Sequence, residues 1–105
     1  MPSVRLREAA ENDLYDIGLY TGRNWGPAQA TRYLTDLRDH FDALVTGEAF
    51  DRQVFDDTDT IRVSRCAHHF VFFERAAGGS VTILAVLHES MDLPQRLRER
   101  LDVGG

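Results

Sequence analysis

A chain of 105 residues has room for one domain, residues 1–105. An apolar fraction of 43% that includes six Phe, three Tyr and one Trp excludes a disordered polymer. Seventeen acids against twelve bases give a formal charge of -5, which disfavours gripping a nucleic-acid backbone because long-range repulsion opposes approach. Cys66 is the single cysteine and predicts a reducing compartment; with no signal-like opening and no apolar run near about 18 residues, the chain is expected to be cytoplasmic and free of the membrane.

The opening "SVRLRE" alternates, Val4 and Leu6 to one side, Arg5 and Arg7 to the other, and predicts a short half-buried strand. From Glu8 the period changes. Ala10, Leu14, Ile17 and Thr21 step by four, three and four, one stripe of a helix, with Glu8, Glu11 and Asp13 near its start where acids complement the dipole. Tyr15, Leu19 and Tyr20 widen the apolar face beyond that stripe, and Gly22 and Asn24 predict the end. In "NWGPAQATRYL", Pro27 suits a first helical position and Trp25 is placed to pack on Ala30 as a hydrophobic staple. Ala30, Tyr33, Leu34, Leu37, Phe41, Leu44 and Val45 continue as a second stripe to Gly47, so the two helices form an antiparallel hairpin.

Residues 47–59 read as a polar, acidic loop tacked to the core by Phe50, Val54 and Phe55. Three apolar runs follow, "TIRVSRC", "HHFVFFER" and "SVTILAVLH", joined at Arg65-Cys66-Ala67 and at Gly78-Gly79: a three-strand meander. After Pro94 a short helix carries Leu97 and Leu101 on one side. The order β-α-α-β-β-β-α predicts an α+β domain in which the helix hairpin covers one face of a mostly antiparallel four-stranded sheet. The pairing of the first strand, with either side of the meander, stays open.

Chemistry has few candidates. His88 ends a strand next to Glu89, and neighbours on a strand point to opposite faces, so the pair is expected to be no acid/base dyad. His68 and His69 diverge for the same reason. Cys66 with His68 makes only two metal ligands, and nothing beyond nearby Arg65 would lower the Cys66 pKa, so no metal, cofactor or nucleophile is expected. Phe70 and Phe72 share a face opposite Phe73 and read as core rather than as a base-stacking platform. Every base is Arg, a usage that fits GC-biased codons, with selection for bidentate contacts as the alternative.

Taken together, "AENDLYDIGLYTGRNWGPAQATRYLTDL", the pair Ile61-Arg62, "HHFVFFER" and "ILAVLHESMDLPQRL" resemble the ParE toxins of the RelE/ParE superfamily of type II toxin–antitoxin systems, over almost the whole chain. The family's recurrent steps fall on Tyr20-Thr21, Trp25-Gly26-Ala30, His69 through Phe73, and Leu87-His88-Met91-Asp92. The chain departs from the family in carrying Arg65-Cys66-Ala67 where Gly is common, and Phe73 where Tyr is common. The resemblance implies a bacterial toxin that inhibits DNA gyrase without being an enzyme. It also implies a ParD-like antitoxin whose C-terminal segment wraps the toxin. Neither direct nucleic-acid binding nor membrane contact is expected.

The superfamily's other branch cleaves messenger RNA on the ribosome with clustered cationic side chains and a base. Here only Arg62, Arg65 and His88 could be a remnant of that site. Such a ribosome-dependent endoribonuclease, or an inactive antitoxin-binding member, is the alternative. By position, the candidate antitoxin contacts are Tyr15, Leu19, Tyr20, Tyr33, Arg62, Arg65 and Arg75. The candidate target contacts are His88, Met91, Leu97, Arg98 and Leu101.

Overall fold

A computed structural model describes residues 1–56, 58–91 and 93–104; Asp57, Asp92 and Gly105 lie outside them. The opening alternation forms β1 (Val4–Leu6). The four–three–four stripe forms α1 (Glu8–Trp25), which buries Ala10, Leu14 and Thr21. Gly26, at φ 94°, turns the chain into α2 (Pro27–Thr46), whose buried line is Leu37, Phe41 and Leu44. Gly47 ends α2 in the left-handed region, φ 83°, a conformation that costs a residue without Cβ little.

The expected Trp25 staple does not form. The indole is 72% exposed, and Ala30 instead faces Gly22, where an added Cβ would lie 3.8 Å from the alanine methyl. The hairpin closes through small residues at this end and leaves no depression for a ring.

The sheet has five strands rather than four. Arg52–Phe55 is β2, followed by β3 (Thr58–Cys66), β4 (His69–Arg75) and β5 (Val81–His88). The order is β1-β5-β4-β3-β2. The meander is antiparallel, and β1 pairs in parallel with β5 through Val4↔Val81 and Leu6↔Ile83, which settles the open pairing. β2 lies antiparallel on β3, Arg52 opposite Val63, with an irregularity between Gln53 and Phe55. "RQVF" has no alternation and sits among acids, so only its tertiary partner makes it a strand. As an edge it is partly blocked, since the Gln53 side-chain amide donates to the Phe55 carbonyl at 2.6 Å. Val54 and Phe55 do pack on the core, but Phe50 does not: it is 84% exposed.

The two faces of the sheet bury different clusters. Val71, Phe73, Val81, Ile83 and Val86 pack under the hairpin against Leu14, Leu37, Phe41 and Leu44. Ile61, Val63, Phe72, Leu84, Ala85 and Leu87 face the other way, onto Leu97 of α3 (Leu93–Gly104). A bulge allows the unusual pair Leu84 and Ala85 to share a face: Phe72 opposes Ala85 but Phe73 opposes Ile83, so Leu84 is the extra residue. Groups beside the bulge find side-chain partners. The Val86 N–H donates to Asp13 Oδ2 at 2.9 Å, and Arg100 Nη1 donates to the Leu84 carbonyl at 3.3 Å. Arg100 also grips Asp13 through both guanidinium ends, each at 2.9 Å, so one carboxylate ties α1, β5 and α3 together. Among the described residues no helix is long and apolar enough to cross a membrane.

Candidate interaction surface

The outer side of α1 exposes several large apolar side chains. Tyr15 and Tyr20 are each 67% exposed and Leu19 is also open, because the stripe through Ala10, Leu14 and Thr21 already satisfies the core. Trp25, at the end of the same helix, is also exposed rather than packed as a staple. An exposed apolar strip of this kind usually marks an interaction site.

Tyr33 does not belong to that strip. It is half-buried on α2, where its hydroxyl shares a hydrogen bond with His69 Nδ1 at 2.6 Å and accepts the His68 N–H at 3.3 Å. Burial holds His69 down to about 4, helped by His88, whose ring meets it edge-on at 5.1 Å, and by His68. Burial also raises the Tyr33 hydroxyl above its ordinary range.

His88 and Glu89 part company as the alternation requires. His88 Nδ1 bonds the Ser90 hydroxyl at 2.8 Å. Glu89 turns to the other side, where it takes His68 at 2.8 Å and the Arg65 guanidinium. Its carboxyl is held below the usual range first by the His68 hydrogen bond and then by the Arg65 charge. Cys66 lies half-buried, its thiol pushed up by burial and by Asp36, the reverse of what a nucleophile needs. Among the described residues no group of three His, Cys, Asp or Glu could hold a metal ion.

The three candidate antitoxin-contact arginines are already engaged. Arg62 and Arg75 converge on Asp51, Arg75 at 3.3 Å and also on the Leu44 carbonyl at 3.0 Å, so the pair clamps the loop after α2 to the sheet. Nearby, the Ser64 hydroxyl donates to the Phe50 carbonyl while His40 Nε2 donates to Ser64 at 2.8 Å. Arg65 stands on the opposite face of β3 from Arg62, over the Phe70 ring. Arg62, Arg65 and His88 therefore do not share one concavity.

Of the candidate target contacts, Leu97 is a correction: it is fully buried under the sheet, because it is the central apolar residue of α3. Leu101 is partly buried against the same cluster, whereas Met91 and Arg98 are exposed. A cavity of about 460 Å³ lies between the start of α1 and α3, lined by Arg7, Glu8, Asn12 and Arg100; Arg100 there is committed to Asp13.

The family described as ParE toxin of type II toxin-antitoxin system, parDE, matches residues 4–93. Toxin ParE of Escherichia coli is 40% identical over 101 residues, 96% of this chain and 98% of that protein. Toxin ParE1 of Mycobacterium tuberculosis is 27% identical over 92 residues, 88% of this chain and 94% of that one. Among solved structures, the chromosomal ParDE TA system from P. aeruginosa superposes with a TM-score of 0.68 at 20% identity, covering 84% of this chain and 96% of that chain. The RelBE2 toxin–antitoxin complex from Mycobacterium tuberculosis gives 0.52 at 16% identity, covering 84% and 99%. At those identities the structural likeness shows a shared fold.

Proposed function

The chain belongs to the ParE toxin family of type II toxin–antitoxin systems, and from that premise we propose that it inhibits DNA gyrase by binding and is held inactive by a ParD-like antitoxin. The observation that carries the binding reading is the fate of Arg62 and Arg65. Cleaving a phosphodiester calls for cations gathered where charge develops on the phosphate. These two arginines stand on opposite faces of β3, each paired with a carboxylate, Asp51 and Glu89. Surface supports the same reading from the other side. An amphipathic antitoxin helix laid along α1 would cover Tyr15, Leu19 and Tyr20, whose large apolar area is otherwise left to water. Tyr33, Arg62, Arg65 and Arg75 play a supporting part through the groups they already hold in place.

Expression of His88→Ala and Arg62→Ala, one at a time, tests this reading, with the 5′ ends of messenger RNA mapped in parallel. Growth arrest is expected to persist in any variant that folds, with messages intact. Arrest abolished in a folded variant, alongside cut messenger RNA in the wild type, would replace binding by cleavage.

A further inference from the structure

The sheet face away from the hairpin carries a second surface. Between β2 and the start of α3 runs a groove floored by Val54, Val63, Phe70 and Phe72, walled by Leu93 and rimmed by Arg52, with a volume of about 190 Å³. That is the size to take one bulky side chain, since apolar cavities of roughly 150 Å³ hold benzene. Two more guanidinium groups lie over rings of this face, Arg65 over Phe70 at 5.3 Å and Arg98 over Phe55 at 4.7 Å. Arg65 is tied to Glu89, but among the described residues neither Arg52 nor Arg98 has an ion-pair partner. The acids that the strand alternation places on this face, Asp59 and Glu74, stand beyond Ile61, away from Val63 and Phe70. A chain of net charge -5 has thus kept cations around an apolar pit.

We propose that this groove docks the target protein, taking an acidic segment with one bulky apolar side chain. The side chain fills the pit and flanking carboxylates pair with Arg52 and Arg98. This rests on the binding reading above and names the chemistry of the target's contact. The groove lies across the sheet from α1 and is a separate surface from Tyr15 and Leu19. A nucleic-acid strand fits it poorly. Stacking needs open ring faces, yet Phe72 is buried and Phe70 lies beneath Arg65.

The test is fluorescence anisotropy of the labelled full chain with purified DNA gyrase, comparing wild type with Arg52→Glu/Arg98→Glu. Both side chains are exposed, so the fold should hold; circular dichroism and antitoxin affinity check it. Gyrase affinity is expected to fall roughly 100-fold, about tenfold per reversed charge, with antitoxin affinity unchanged and most gyrase affinity retained in Arg52→Lys/Arg98→Lys. Wild-type binding that the reversal leaves intact, or strengthens, overturns the groove while the gyrase reading stands. A wild type that ignores gyrase removes both. A fluorescein-labelled RNA 20-mer that binds the wild type and is lost on reversal overturns the acidic-peptide occupant.

Discussion

The two faces of the sheet are fastened by different physics. Under the hairpin, Phe73, Leu37, Leu44, Ile83 and Val81 are sealed from water, and the helices are held by apolar area spread over two long stripes. On the other face, Leu97 is the one fully buried side chain among those described in α3, and the helix depends on the two-pronged contact of Arg100 with Asp13. Apolar area fails gradually as atoms are removed. A half-buried ion pair fails at once, because the surviving partner is left without hydration or a counter-charge. The hairpin is therefore expected to be the firmer base, and α3 to detach more easily from the face that holds the groove.

That contrast can be broken in graded steps. Phe73→Ala should cost the most, roughly 3–5 kcal/mol, and lower the denaturant midpoint of the whole domain. Asp13→Ala should cost roughly 2–3 kcal/mol, since Arg100 and the Val86 N–H both lose their acceptor. Its mark is local: amide exchange rises through residues 93–104 while the hairpin stays protected. If exchange rises equally everywhere, the two faces are not separable. Replacing both partners, Asp13→Leu with Arg100→Met, should recover the part owed to the unpaired Arg100, while the Val86 N–H stays without its acceptor.

A smaller effect depends on pH. His69 titrates near 4 in the folded chain against an ordinary 6.5, so between those values the unfolded chain binds the additional proton. Stability is then full above about 6.5 and declines as pH falls toward 4, by on the order of 1–2 kcal/mol once half-exposure and screening are allowed for. His40, lowered by burial, acts in the same sense. Denaturant midpoints across that range should flatten in His69→Gln; an unchanged slope would place the dependence elsewhere. Smallest of all, Leu19→Ser with Tyr20→Ser should shift stability by no more than about 0.5 kcal/mol. Antitoxin affinity should nevertheless fall by at least about tenfold if the proposed antitoxin helix uses these residues as apolar anchors.

What the sequence disclosed was local or periodic. Both helices of the hairpin follow from stripes at 3.6-residue spacing, and the meander from alternation bounded by turns. The split between His88 and Glu89 follows from strand geometry and is borne out by their separate partners, Ser90 and Glu89's own pair of His68 and Arg65. What stayed hidden depends on partners far apart in the chain. β2 exists because Arg52 meets Val63, and the parallel pairing of β1 with β5 joins residues 77 apart. The bulge, the Asp13–Arg100 tie across 87 residues and the Tyr33–His69 bond across 36 leave no periodic trace. The exposure of Trp25 could have been suspected from Gly18 and Gly22, which let the hairpin helices close without it.

The most direct measurement is gyrase supercoiling of relaxed plasmid with the purified toxin chain and no ribosomes present. Inhibition by contact requires that supercoiling stop and that adding the antitoxin restore turnover. Gyrase working at full rate under saturating toxin would contradict it.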